Sequence, residues 1–427
     1  MLRLKEEKEL TKNCAVVTSK LPSKVYIPLI QHFGKPCDKI LVRVGDVVKR
    51  GQMLAASDSG LFSPIHSSIS GKVISISSYI HPNLGKANAI IIESDGRDES
   101  ISFNSRSKEK IDSLKKEEII KIIFDAGIVG LGGAGFPTHI KLNPSKPVET
   151  FILNGAECEP YLNVDYRIMV ESIAEIVRGL EIIEKILSVK QIIVAIEDNK
   201  KEAIDKFQAM LLPSHWKIKV LRTRYPQGGE KQLIKSVLDR EVPSGGLPFD
   251  VGVVVHNVGT VLAIYQAVYE GKPLYERIVT VTGKCLENPG NFLVRIGTTV
   301  RDLLADCGPL KKEPAKVVFG GPMMGIAQYS LDAPVIKTTS GIIFFTSEEL
   351  TKRENRVCCR CARCIDVCPA RIMPAIIAMA AEKERWDIAR EYDVFDCIEC
   401  GLCSYICPAK RDLVHLIKYA KARLKPK

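Results

Sequence analysis

The residues best equipped for chemistry in this chain are cysteines. Nine of the fourteen lie after residue 357, and eight of those fall into two runs of identical spacing. The pattern C-x2-C-x2-C-x3-C-P takes Cys358, Cys361, Cys364 and Cys368 ahead of Pro369, then Cys397, Cys400, Cys403 and Cys407 ahead of Pro408. Thiols two residues apart are aimed by consecutive backbone turns at one cubane, and the proline keeps the chain from continuing across it. This is the bacterial run for 4Fe–4S clusters, in which the fourth cysteine of each run serves the other cluster. The expected sets are therefore Cys358, Cys361, Cys364 and Cys407 on one cluster, and Cys397, Cys400, Cys403 and Cys368 on the other. The rival readings are two structural zinc sites, which leave the closely spaced middle cysteines idle, and a disulfide framework. The latter does not suit 427 residues without a secretory signal. Cys359, the odd ninth, adjoins a ligand, and its side chain is expected to point away from the cubane. Such centres take electrons one at a time.

Composition narrows the setting. A hydrophobic fraction of 46% with 26% charged residues is that of a soluble globular chain, and the length suggests two to four domains. The formal net charge is +11; two clusters lower it by roughly four. The remaining excess suits an anionic cofactor, an acidic partner or an anionic membrane surface. No basic run interleaved with aromatics argues for nucleic acid. The N-terminus has no apolar signal region. The longest uncharged run, residues 251–269, is about the length of a spanning helix. It carries His256, Asn257, Gly259, Thr260 and Gln266, and reads better as a buried strand, a loop and a helix start. No transmembrane segment of its own is expected.

The elements that must position these residues follow in order. The first twenty residues lack a period and read as an extended arm. From Lys24 onward, short β-branched runs punctuated by Gly45-Asp46, Gly51 and Gly71 indicate a small β-domain. Its V-x-V-G-D-x-V-x-x-G-Q, followed by S-G-x-V, resembles the barrel-sandwich fold of lipoyl and biotinyl carrier domains. The hairpin tip that carries a modified lysine in those domains here reads Ser57-Asp58-Ser59-Gly60-Leu61, so a docking or structural module is expected. His66 reads as a polar turn residue. A charged linker, residues 97–116, leads to a helix with Ile119, Ile120, Ile123 and Phe124 on its apolar stripe. The glycine-rich GLGGAGFPTHIK, residues 130–141, follows that helix and not a strand, which rules out the dinucleotide fingerprint. Its glycines still let backbone N–H groups approach a phosphate, with Lys141 adding a cation, or else it is merely a turn. Residues 151–169 read as a strand, an acidic turn and then a helix to about Leu187. Alternating strands and helices up to residue 257 predict an α/β domain with a mainly parallel sheet, whose strand ends are where such sheets bind ligands. Taken singly, Glu157 and Glu230 also read as helix-start acids, Lys141 as solvated, Asn257 as a loop cap and Cys158 as a small packed residue.

Four motifs in this order, GLGGAGFP, NGAECEP, YPQGGEKQ and VVVHNVGTV, resemble the flavin and nicotinamide site of the flavoprotein subunit of respiratory complex I. Over roughly residues 24–420 the chain resembles the C subunits of Rnf complexes, membrane-associated ferredoxin:NAD oxidoreductases. The resemblance implies a multidomain α/β fold. An arm and lipoyl-like barrel-sandwich would span 1–100, an α/β FMN and NADH domain 112–272, a β-grasp domain 275–330 and an α-helical two-cluster ferredoxin-like domain 350–427. It implies FMN, NAD(H) and two 4Fe–4S clusters. Carried over by motif, Gly132, Gly133, Gly135 and Lys141 hold the FMN phosphate and ribityl chain. Asn154, Glu157, Tyr225, Gly228, Gly229, Glu230, Asn257 and Thr260 surround the flavin, and Phe136 and Glu159, with Glu230, lie toward the nicotinamide. Ala156, Lys231 and Pro144 depart from the complex I pattern and bear on the nicotinamide contacts. The partners implied are other subunits of a membrane complex, at whose cytoplasmic face the chain is peripheral. A soluble flavo-iron–sulfur reductase, of the cobalamin-reductase or proline-reductase-associated type, is the alternative within the resemblance. An electron carrier or scaffold with an empty flavin pocket is the alternative outside it.

Overall fold

The computed structural model describes residues 1–57, 60–350 and 357–424. The hairpin tip at 57–61 falls partly outside them, as do the lead into the cluster region and the last three residues of the basic tail. Strand-forming runs after the arm fold into two small facing sheets. One orders Lys24–Pro28, Gly85–Ser94, Gly71–His81 and Val47–Val48; the other orders Lys39–Ile40, Met53–Ala56 and Ile65–His66. Their inward residues, among them Val25, Ile27, Leu54, Ile65, Val73 and Ile90, are fully buried, the period-two pattern of half-buried strands. His66 is not a turn residue. It lies buried in the strand Ile65–His66, and burial with nearby Lys337 pushes its imidazole down to about 3.

Four strands form the next layer, all parallel, ordered Trp216–Leu221, Gln191–Glu197, Thr150–Gly155 and Val253–Asn257. The near-continuous apolar runs of Gln191–Glu197, Thr150–Gly155 and Val253–Asn257 suit a sheet covered on both faces. The strand order reverses between Thr150–Gly155 and Val253–Asn257, so a crevice opens at their carboxyl ends, where Asn154 and Asn257 stand in register. The helix expected to run to Leu187 is interrupted at Ser172, whose backbone is non-helical (φ −128°, ψ 37°); Val164–Glu171 and Ile173–Leu187 result.

The third layer is wider than residues 275–330. Its six strands run Val16–Thr18, Gly290–Arg295, Glu276–Thr282, Gly341–Phe345, Lys316–Phe319 and Ile326–Gln328. Gly341–Phe345, which lies beyond that range, is a wholly buried strand parallel to Glu276–Thr282. The arm also enters the fold. Leu2 pairs with Tyr225, Val16–Thr18 forms the edge strand, and buried Lys8 donates to the carbonyls of Glu157 (2.8 Å) and Leu162 (2.5 Å).

The cysteine-rich region is helical, with Pro374–Glu382 against Leu413–Arg423 around Ile377, Ala378, Leu413 and Ile417. The stretch between the cysteine runs makes two helices. Glu384 turns left-handed (φ 53°) between Pro374–Glu382 and Trp386–Glu391. Among the described residues no helix is long and apolar enough to cross a membrane.

Candidate cofactor sites

The crevice at the strand ends is walled by backbone that polar side chains hold in place. Asn154 donates to the carbonyl of Gly228 (2.9 Å) and accepts from the N–H of Ala156 (3.1 Å). Asn257 caps the helix Val258–Tyr265 by accepting from Gly259 N–H (2.8 Å), and its amide donates to Asp165 (2.7 Å). Buried Thr260 accepts from the N–H of Leu131 (2.9 Å), which ties that helix to the glycine-rich loop. The loop closes on itself, with Gly130 N–H on Phe136 O (2.9 Å) and Gly135 N–H on Gly130 O (3.2 Å). Gly132 lies against Asn257, where an added Cβ would come 3.2 Å from that side chain. At Gly133 φ is +110° and an added Cβ would point into open space, so the backbone there is bare toward whatever fills the crevice. Lys141 forms an ion pair with Glu230, the first residue of the helix Glu230–Leu238, and joins loop to strand-end wall. Five of the expected residues therefore converge here through direct contacts between loop and sheet: Lys141 with Glu230, Gly132 with Asn257, and Thr260.

Some of the expected side chains are engaged elsewhere. Glu157 is buried, accepting from Asp165 N–H (2.9 Å) and lying 3.4 Å from Lys200 and 3.6 Å from Lys8. Glu159 turns toward residues 321–324, accepting from Met323 N–H (3.2 Å) and Met324 N–H (2.9 Å), and burial raises its carboxyl to about 7. Tyr225 is 1% exposed, and its hydroxyl donates to the carbonyl of Cys400 (2.7 Å), with Glu159 at 3.4 Å. Phe136 is half-buried at the loop's end, and Gly229 is the N-cap residue before Glu230. Cys158 is held as an unreactive thiol: burial pushes it up to about 12, and it accepts from Gly228 N–H (3.4 Å).

Three further polar side chains within the motifs, given no role from the sequence, are buried near the strand ends. His256 is buried at the strand end, its Nε2 without a hydrogen-bond partner among the described residues, and burial with the Lys141 ammonium depresses its pKa strongly. Gln227 Nε2 and Gln232 Oε1 are buried and unpartnered on either side of Gly228 and Gly229. Orphaned buried polar atoms call for a ligand or water. Here they accompany bare backbone and a cation, a donor set that fits a phosphorylated, polar-edged cofactor such as a flavin mononucleotide. The signal was available in the sequence: Gln227 and Gln232 lie within YPQGGEKQ and His256 within VVVHNVGTV. An open groove of about 830 Å³ lies elsewhere, between the arm and Lys201–Ala209, and is lined by charges of both signs.

The cysteines sort into two cavities, and the sorting crosses the runs. One, about 240 Å³, is lined by Cys358, Cys361, Cys364 and Cys407; the other, smaller, by Cys368, Cys397, Cys400 and Cys403. Burial raises the Cys364 thiol, with Cys358 and Cys407 adding to it, and Cys403 is raised by burial, Cys397, Cys400 and Cys368. Among the described residues no three His, Cys, Asp or Glu are drawn tightly enough to hold a single ion. Cys359 is exposed and lines the first cavity alongside Cys361.

Comparison with known proteins follows the same layers. Family models match as an RnfC barrel sandwich hybrid domain over residues 2–97, a Nuo51 FMN-binding domain over 123–266, an SLBB domain over 278–327 and a 4Fe-4S dicluster domain over 350–408. The C subunit of the proton-translocating ferredoxin:NAD(+) oxidoreductase complex of Clostridium ljungdahlii is 46% identical across 98% of this chain and 92% of its own length. Its counterpart in the Na(+)-translocating complex of Acetobacterium woodii is 42% identical across 98% and 94%. The C subunit of an ion-translocating oxidoreductase complex of Vibrio cholerae is 39% identical over 92% of this chain, which spans 51% of that relative. Among solved structures, a chain of air-oxidized NAD+-reducing NiFe hydrogenase shares the fold at 16% identity and TM-score 0.51, covering 77% of this chain and 69% of that one. The chain belongs to the family of C subunits of the ion-translocating ferredoxin:NAD+ oxidoreductase, or Rnf, complexes.

Proposed function

We propose that this chain is the electron-input subunit of such a complex, peripheral at the cytoplasmic face of the membrane. It would exchange hydride with NAD(H) at FMN and carry single electrons through two 4Fe–4S clusters. Bound flavin supplies the conversion between a two-electron hydride and one-electron carriers; the protein positions and tunes. Gly132, Gly133 and Gly135 bring backbone to the phosphate and ribityl chain, with Lys141 as counter-charge and His256 and Gln227 as added donors. Asn154, Gly228, Gly229, Asn257 and Thr260 shape the walls, and Phe136 and Glu230 border the nicotinamide side. Glu157 and Glu159 act from behind these walls, where their buried contacts place them.

The observation that carries the reading is the hydrogen bond from Tyr225, next to the crevice wall, to the carbonyl of Cys400. It sets the flavin crevice directly against the cysteine set of the smaller cavity, as a relay requires. The test is spectroscopic. The purified chain should be yellow, release FMN on denaturation, contain about eight irons and bleach with NADH. Iron without flavin would leave an electron carrier or scaffold in its place. Recovery from the soluble fraction when co-expressed with the remaining subunits would favour a free-standing flavo-iron–sulfur reductase.

A further inference from the structure

The barrel-sandwich domain touches the flavin crevice at one point. Its loop after Lys24–Pro28 brings Phe33 to the end of the glycine-rich loop, where the Phe33 N–H donates to Gly135 O (2.9 Å). The Phe33 ring lies stacked against Phe136, centroids 6.1 Å apart at 27°. Contacts on both sides fix this approach. Gly135 has φ +63°, and an added Cβ would strike Thr338 at 2.6 Å and the His32 backbone at 3.3 Å. Gln31 accepts from the N–H of Lys337 (3.1 Å), and Lys35 N–H donates to Leu61 O (3.1 Å), so the segment carrying Phe33 is held from both ends. Yet the Phe33 side chain remains 60% exposed. The ring is thus held in place beside Phe136 by its backbone, with one face open to a planar group.

We propose that Phe33 extends the Phe136 surface into an aromatic wall on which an aromatic ring of the nicotinamide dinucleotide stacks, and that supplying this wall is the role of the barrel domain at the flavin site. The inference rests on the proposed flavin and NADH function. Phe33 is a recognition residue supplied from outside the α/β domain. Its place beside Gly135 explains why a carrier-like module with no attachment lysine at the corresponding tip is still held tightly to the crevice. The planar faces of the dinucleotide gain contact area here, while hydride transfer and flavin retention depend on the residues already described.

The test uses the full holoprotein and NADH, with ferricyanide accepting electrons at the flavin so that the clusters are bypassed. Phe33→Ala should raise KM for NADH about five-fold, the loss of one aromatic stacking contact. FMN content should stay at the wild-type level and kcat within about two-fold of it. Phe33→Tyr should restore KM, and Phe33→Leu, which keeps apolar bulk without a π face, should behave like Phe33→Ala. An unchanged KM in Phe33→Ala overturns the proposal. So does rescue by Leu, which would make the residue simple packing, and so does loss of flavin, which would make it a brace for the glycine-rich loop. A wild-type protein that NADH does not bleach sinks the underlying NADH reading instead, and the two failures are told apart by that control.

Discussion

At the scale of single residues, the cysteine assignments rest on spacing and on the two cavities. Cys407 belongs to the second run in sequence but lines the cavity of the first. Cys407→Ser should therefore alter the low-temperature spin spectrum of the cluster that Cys361→Ser also alters, leaving the one perturbed by Cys400→Ser intact. A Cys407→Ser spectrum matching Cys400→Ser would mean that each run keeps its own cluster. Cys359 is the less obvious case, because it sits beside Cys361. As a non-ligand it predicts that Cys359→Ser keeps about eight irons per chain; a drop to about four would make it a ligand. The spacing alone pointed to the ligand sets. It did not reveal where the ninth thiol turns, because φ at Arg360 (53°) and Ala362 (59°) is left-handed and follows the loop's tertiary packing.

At the scale of elements, the glycine-rich loop shows what can and cannot be read ahead of the fold. That it follows a helix and lacks the strand of a dinucleotide fingerprint was legible, as were its bare backbone and the parallel sheet. The side-chain roles were less so. Glu157 and Tyr225 belong to motifs, but long-range contacts with Lys8, Lys200 and Cys400 draw them behind the crevice wall. The arm that supplies Lys8 has no periodicity of its own to announce this. The strand Gly341–Phe345 was missed for a similar reason, since a short continuous apolar run is silent about which sheet will bury it. The loop itself yields a direct prediction. Gly133→Val places a branched side chain at φ +110°, in the left-handed half of the map, over backbone that is otherwise bare. The purified variant should lose FMN and keep its iron. Wild-type flavin content in Gly133→Val would put the phosphate elsewhere.

At the scale of the whole molecule, the seam between barrel and flavin domain is built from buried basic groups whose charged forms burial disfavours. Burial, helped at the first two by Lys337, lowers His32 to about 4, His66 to about 3 and His139 to about 4; burial lowers Lys337 itself to about 7. For the histidines the folded pKa lies below the unfolded value of 6.5. The stability they allow is therefore fully present above about pH 6.5 and is lost as pH falls toward about 4. Each contributes a slope of up to about 1.4 kcal/mol per pH unit once the unfolded state alone is protonated. Lys337 acts with the same sign between about 10.5 and 7. Denaturant titrations of the wild type should show stability falling steeply between about pH 6 and 4.5, and His66→Gln should flatten that slope by about one proton whatever its effect near pH 7. An unaltered slope would show that His66 is not neutral because of the seam.

The domains also fix an order on the relay. Tyr225 joins the flavin crevice to Cys400, and an added Cβ at Gly229 would come 3.8 Å from Ile398, so the cavity of Cys368, Cys397, Cys400 and Cys403 adjoins the flavin domain. The other cavity has exposed Cys359 and Cys361 on its wall and reaches the surface. Electrons leaving the flavin should therefore meet the second-run cluster first and depart from the first-run cluster toward a neighbouring subunit. Tyr225→Phe tests this with little change of shape. Removing the hydroxyl takes a donor from the Cys400 carbonyl and leaves that end of the cluster more negative. One neutral hydrogen bond of about 1 kcal/mol corresponds to roughly 40 mV for a one-electron couple. The potential of the second-run cluster should fall by about that much, with the first-run cluster and the NADH–ferricyanide rate unchanged. Electron delivery to a one-electron acceptor that draws on the clusters should slow in step. A shift confined to the first-run cluster would reverse the order of the relay, and no shift in either would make Tyr225 a structural tie between domains.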